Sequence, residues 1–148
     1  MKKLSYKIDI KAPVEKVYET MIGRETYKKW TSEFNPTSDF EGGWEKGDKI
    51  YFTGMHEGKK GGMIAEIAEN IPHKFISIRH YGILDGEEEI TSGPQVESWA
   101  GNFENYSFGV NDEFTTLTVD VEVNEEHEKY FDETWPKALE NLKDLAEN

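Results

Sequence analysis

Apolar and polar residues alternate strictly in "LSYKIDI", with Leu4, Tyr6, Ile8 and Ile10 on one face and Ser5, Lys7 and Asp9 on the other. A period of two is that of a half-buried strand. At Ala12-Pro13 the period changes. Val14, Val17, Tyr18, Met21 and Ile22 then form a helical stripe, which predicts a helix with Pro13 at its first position and Gly23 closing it. "RETYKKW", ending at Trp30, predicts a second short helix.

From residue 38 to residue 123 the chain reads as a meander of strands: "SDFEG", "DKIYFTG", "GMIAEIAE", "FISIRHYG", "SWAGNFENYSF" and "FTTLTVDVEV". Turn residues separate them at 43–47, 58–61, Asn70-Ile71-Pro72, an acidic loop around "LDGEEE", and Asn111-Asp112. With the first strand, seven are expected.

The end of the chain returns to helical spacing in "YFDETWPKALENLKDLA", where Phe131, Trp135, Leu139, Leu142 and either Leu145 or Ala146 share a face. Glu133/Lys137 and Lys143/Glu147 are opposite charges four residues apart. Pro136 lies in the middle, where a proline costs roughly 3 kcal/mol. Both halves present the same apolar face, so the expectation is one helix over 124–147, bent near 132–136 rather than ended there. Asn124 is expected to cap it, with Glu125 and Glu126 in the first turn. Strand, two helices, six strands and a long helix predict an α+β fold, an antiparallel sheet with helices on one face, in a single domain over 1–148.

A curved sheet around one long helix leaves a tunnel, so the inward faces matter. In the last strand Leu117, Val119, Val121 and Val123 face the core. A hairpin about Asn111-Asp112 then sets even-numbered residues opposite them, turning Tyr106, Phe108 and also Glu104 inward, with Phe103 and Trp99 outward. A bulge would reverse that set. Alternation likewise carries Ile76, Ile78 and His80 inward, and Ile50 and Phe52. His80, Glu104 and Tyr106 would thus form a polar group inside an apolar tunnel. Buried ionisable groups must be paired or shifted, which makes His80 and Glu104 the candidates for acid–base chemistry. A structural hydrogen-bonded pair, or side chains reaching water at the rim, ranks ahead of catalysis.

Composition narrows the function. Thirty acidic against seventeen basic residues give a net charge of -13, the wrong sign for nucleic acid. The chain contains no cysteine, which removes disulfides and thiolate metal sites and suits a reducing cytoplasm. No stretch has the length of a signal peptide or a membrane span. His56, His73, His80 and His127 show no ligand spacing, so neither metal nor cofactor is expected. Gly54, Gly58 and "KKGG" miss the phosphate-loop spacing and read as a hairpin turn. Tyr6, Tyr18 and Trp30 read as core.

"IKAPVEKVYETM", "YKKWTSEFNP", "FEGGWEKGDKIYF", "GGMIAEI", "FISIRHYG", "SWAGNFENYSF" and "YFDETWPKALENLK" together resemble the START/Bet v 1-like (SRPBCC) superfamily. The narrower resemblance is to its AHSA-type branch, the C-terminal domain of the heat-shock-protein ATPase activator. It implies a helix-grip fold: a seven-stranded antiparallel sheet gripping a long C-terminal helix, with two short helices closing one end. The fold hosts lipid carriers, hormone binders, polyketide cyclases and co-chaperone domains, so it does not fix an activity. The activator's N-terminal domain has no counterpart here, which sets a chaperone partner behind a small apolar or aromatic ligand. The expected binding wall is Trp30, Phe52, Ile78, His80, Glu104, Tyr106, Phe131, Trp135 and Leu139. A cyclase- or hydrolase-like enzyme using His80 and Glu104 is the alternative.

Overall fold

The computed structural model describes residues 2–97 and 100–148. The first alternating stretch forms β1 (Lys2–Ile10), in which Leu4 and Ile10 are buried while Ser5, Lys7 and Asp9 are exposed. The helical stripe forms α1 (Val14–Ile22), followed by α2 (Arg24–Trp30) and a 3-10 turn (Thr31–Glu33). Pro13 precedes the first helical residue and its carbonyl accepts from the Val17 N–H at 3.1 Å, so it stands one position earlier than expected. Gly23 closes α1 and opens α2 at once. Its N–H reaches the Glu19 carbonyl at 2.7 Å, and a Cβ there would stand 2.7 Å from that same oxygen.

Seven further strands follow: β2 (Asp39–Gly42), β3 (Lys49–His56), β4 (Lys59–Ile71), β5 (Phe75–Asp85), β6 (Glu88–Ile90), β7 (Asn102–Asn111) and β8 (Phe114–Val123). They pair antiparallel in the order β1-β8-β7-β5-β4-β3-β2, with β6 added to β5. The register of β7 with β8 sets Glu104, Tyr106 and Phe108 opposite Val121, Val119 and Leu117. Their turn is Asp112-Glu113, with Asp112 in the left-handed region at φ 52°. That is one residue later than expected. Moving a two-residue turn by one position changes which residues pair but keeps even opposite odd, so the inward set is the one expected. Phe103 faces outward, 36% exposed.

The structure departs from the expected strands in four places. The acidic run is not a loop: β5 continues to Asp85 and β6 returns across Gly86-Glu87, giving eight strands among the described residues. Gly86, at φ 65°, supplies the conformation a two-residue hairpin turn needs. Glu89 is compensated by Lys49 Nζ and the Tyr51 hydroxyl, which donate to it at 2.6 and 2.7 Å. Second, Pro94–Glu97 forms a helical turn, α3, and β7 begins only at Asn102, while the expected strand start at Ser98 and the outward Trp99 lie outside the described residues. Third, β3 turns into β4 at Glu57-Gly58, and β4 runs on through Asn70 and Ile71. Fourth, the β4–β5 ladder is irregular. Ile64 pairs Gly82 while Ala65 pairs His80, leaving Tyr81 unmatched, and Ala68 is left out likewise between Ile67 and Glu69. An unmatched residue reverses alternation beyond it.

The chain ends in α4 (Glu128–Glu147), preceded by a separate 3-10 turn (Glu125–His127). The single helix expected over 124–147 thus starts at Glu128. Asn124 makes no side-chain cap; its carbonyl accepts from the His127 N–H at 2.9 Å. α4 runs through Pro136, because that residue is exposed and so is Asp132, whose carbonyl loses its helical partner. Water can hydrate that carbonyl, whereas in the core it would be orphaned. The opposite face buries Trp135, Ala138, Leu139, Leu142 and Ala146 against the sheet and the first two helices. A curved antiparallel sheet around a long C-terminal helix is the helix-grip arrangement. Among the described residues no helix is long and apolar enough to cross a membrane.

Candidate functional site

Under the first half of α4 lies a cavity of about 260 Å³. Its walls come from α2 (Tyr27, Trp30), the following turn (Thr31, Phe34), β3 (Phe52), β4 (Met63), β5 (His80), β7 (Glu104, Tyr106) and α4 (Phe131, Trp135). A second cavity of about 320 Å³ adjoins it beneath the start of α4, lined by Ile83, Phe103, Val121, Val123, Asn124 and His127. Met63, His80, Glu104 and Phe131 line both. The unmatched Tyr81 explains how β5 serves two walls: His80 faces in before the bulge and Ile83 after it.

The first cavity is aromatic. Trp135 meets Phe34 edge-on with ring centres 5.0 Å apart, and lies 6.2 Å from both Trp30 and Tyr106. Tyr27 and Phe52 are 6.1 Å apart. Such separations are those of favourable aromatic pairs, so the wall is rigid and gains stability beyond its burial. Trp30 is also anchored, its indole N–H donating to the Met21 carbonyl at 3.0 Å.

Thr31, Asn35, Ser38, Thr53 and His56 add polar edges to this wall, and His80, Glu104 and Tyr106 form a polar group within it. Glu104 accepts the Tyr106 hydroxyl at Oε2, and its Oε1 lies 3.1 Å from His80 Nε2. A carboxylate already accepting a phenol proton accepts again at its other oxygen, so the His80 tautomer with Nε2–H closes the bond and leaves Nδ1 a bare acceptor. Nδ1 is buried without a partner, as is the Trp135 indole nitrogen. Buried polar atoms are nearly always hydrogen-bonded, and leaving one unpaired costs about 1–3 kcal/mol. Burial, then the charge of Glu104, raises the Tyr106 phenol well above its ordinary range, and the same causes raise Tyr27. Tyr6, outside the cavity, is raised by burial and by donating to Asp132 at 2.6 Å.

Of the nine residues expected to form the binding wall, Trp30, Phe52, His80, Glu104, Tyr106, Phe131 and Trp135 line the first cavity. Ile78 and Leu139 do not: they are 1% and 2% exposed and pack in the core. Alternation separates inward from outward but not the covered part of the inward face from the open part. Tyr27, Phe34 and Met63 also line the cavity and were not expected. Phe34 follows an aperiodic 3-10 turn, and Met63 lies on the irregular strand. The histidines are scattered: His56 lines the first cavity, His127 the second, and His73 lies edge-on to Tyr18 at 5.0 Å. Among the described residues no group of three or more His, Cys, Asp or Glu could hold a metal ion.

The fold recurs in solved structures of low sequence identity. The Aha1 dimer from Colwellia psychrerythraea superposes with a TM-score of 0.74 at 23% identity, over 99% of this chain and 97% of that one. CalU16 from Micromonospora echinospora matches with a TM-score of 0.65 at 14% identity, over 97% and 75%. DynU16, from the dynemicin biosynthetic locus, gives 0.68 at 15% identity, over 95% and 45%. No curated protein sequence matches the chain. The family model described as "Activator of Hsp90 ATPase homolog 1-like protein" matches residues 11–147, and the chain therefore belongs to that family.

Proposed function

We propose that the protein binds a small, largely apolar, ringed molecule between the sheet and α4. The observation that carries this reading is a largely aromatic cavity in which the His80–Glu104–Tyr106 cluster holds a buried nitrogen, His80 Nδ1, without a partner. A ligand burying on the order of 200 Å² of apolar surface gains about 5 kcal/mol before the costs of association. Stacking against Trp135, Trp30 or Phe52 adds a preference for rings over chains. A cytoplasmic setting belongs to the same proposal, since a chain without cysteine needs no oxidising compartment to fold. Titration of isotope-labelled protein with a fatty acid, a flavonoid and a polyketide-like aromatic is expected to give saturable NMR shifts at the Trp30 and Trp135 indoles and at Tyr106. Shifts that fail to saturate with every compound would mean that side chains alone occupy this space.

A second reading, acid–base catalysis by His80, is favoured by the space beside it. A histidine locked to a carboxylate in a solid core could not reach a substrate, but His80 borders both cavities. Here Glu104 would hold the ring and His80 Nδ1 would take a proton from the substrate. One fold neighbour belongs to a biosynthetic locus, which gives the substrate class to try first. His80→Ala is expected to abolish turnover of a converted aromatic compound while weakening its binding by no more than about tenfold, the cost of one hydrogen bond, because the aromatic residues of the wall remain. Equal turnover by both proteins would end the catalytic reading. The family description also supports a chaperone partner, and stimulation of a chaperone's ATPase by the purified protein is the measurement that would establish it.

A further inference from the structure

The relation between the two cavities carries a more specific conclusion, which rests on the binding reading above. Of the four residues they share, Met63, His80 and Glu104 stand on β4, β5 and β7, and only Phe131 comes from the helix side. The floor is therefore continuous and the division is made from above by one side chain. Phe131 occupies the first turn of α4 and is half-buried, with its nearest aromatic neighbours Tyr130 and Phe34 at 5.9 and 6.5 Å. A ring at the open end of a helix can change rotamer without disturbing the packed stripe beyond it. His80 cannot move as freely, because Glu104 holds it and Tyr106 holds Glu104.

We propose that the two cavities are halves of one bipartite site. Its ligand is a molecule of two ring systems, not an anion, whose hydrogen-bonding link crosses the His80–Glu104 floor beneath Phe131. Each part of that description has its own cause. The first half is walled by aromatic rings and the second by Ile83, Val121 and Val123 with polar Asn124 and His127 at its edge, so both ends take apolar groups. Glu104, the carboxylate in the shared floor, disfavours a second negative charge beside it. At the crossing, His80 Nδ1 has no partner and is covered, so a hydroxyl on the link donates to it once the ring tilts about its single bond to Glu104. The indole N–H of Trp135, a wall residue of the first half, is a second buried polar group without a partner.

The probes that separate the halves are 2,2'-naphthoin, with two naphthyl groups joined by a hydroxyketone, and 2-hydroxy-1-(2-naphthyl)ethanone, with one naphthyl group and the same link. Both are expected to shift the Trp30 and Trp135 indole signals. Only naphthoin is expected to shift the methyls of Ile83, Val121 and Val123, and to bind at least tenfold more tightly. Asn124→Trp, which fills the edge of the second half outside the core, should remove that tenfold advantage and leave the one-naphthyl probe unchanged. If naphthoin stays in the first half, or Asn124→Trp leaves its affinity intact, the bipartite site is overturned while the binding reading stands. If neither probe binds, the bipartite site falls, and the ligand panel above decides the binding reading separately.

Discussion

Trp135→Ala is expected to lower the unfolding free energy by about 3–5 kcal/mol, the range for truncating a buried tryptophan or phenylalanine. Trp135 is 4% exposed and its ring meets Tyr6 of β1, Trp30 of α2, Phe34 of the following turn and Tyr106 of β7. Four neighbours on four separate segments cannot close on the void together, which argues for the upper part of the range. The unpaired indole N–H works the other way, since deleting it removes a penalty of about 1–3 kcal/mol. Trp135→Phe separates the two terms: it keeps a ring in the wall and drops the orphaned donor, so its loss should be less than half that of the alanine variant. Urea denaturation measures both. Indole should restore part of the stability of Trp135→Ala by occupying the void that the lost side chain leaves. A loss below about 1 kcal/mol for alanine would show that Trp135 is not a wall at all, and would take the cavity reading with it.

The placement of Trp135 was legible because helical spacing and strand alternation are both consequences of burial. In β8 every second residue from Thr115 to Val123 is buried, and its hairpin partner inherits the same order. This is why Glu104, an improbable inward residue by composition, could be placed by counting. Counting fails where a ladder loses step. Two irregularities between β4 and β5 hid Met63 and Ile83, and nothing in "GGMIAEIAEN" marks them. It fails again where charge masks geometry: "LDGEEE" has the composition of a loop, but Gly86 makes a tight turn and Lys49 and Tyr51 neutralise Glu89. Pro136 shows the reverse case, in which a residue that should end a helix is tolerated because its face is exposed. Sequence supplies the face of the helix on which the proline lies, since Trp135 and Leu139 fix the buried stripe. The cavity boundary is the least legible feature. Ile78 and His80 share one face of β5, and only the position of α4 above them decides which one borders open space.

The buried phenols of the site should make the fold sensitive to alkali. Tyr27 and Tyr106 are both raised by burial and by the charge of Glu104, so each stays protonated in the folded chain at a pH where it ionises in the unfolded one. The unfolded state then binds fewer protons, and stability falls as pH rises. The loss starts near the ordinary phenol value, about pH 10, and continues until the folded phenols themselves ionise. One phenol contributes about 1.36 kcal/mol per pH unit, so the two together give a slope of about 2.7 kcal/mol per unit. Against a total of about 5–15 kcal/mol, two pH units are enough to unfold many domains. Exposed lysines paired with carboxylates, such as Lys49 with Glu89, bend stability in the same direction, but salt screens them. Tyr6, raised by burial and by its bond to Asp132, adds a third such contribution, so the slope is measured in a Tyr6→Phe background, where the part that survives high salt belongs to Tyr27 and Tyr106. Urea midpoints between pH 9 and 12 should show it, and Tyr27→Phe should halve it. Tyr106→Phe should halve it too, and should in addition lower stability at neutral pH, because Glu104 loses the proton it accepts. A stability that is level to pH 12, or a slope unchanged by both substitutions, would place these phenols in contact with water and dismantle the polar cluster on which the site is built.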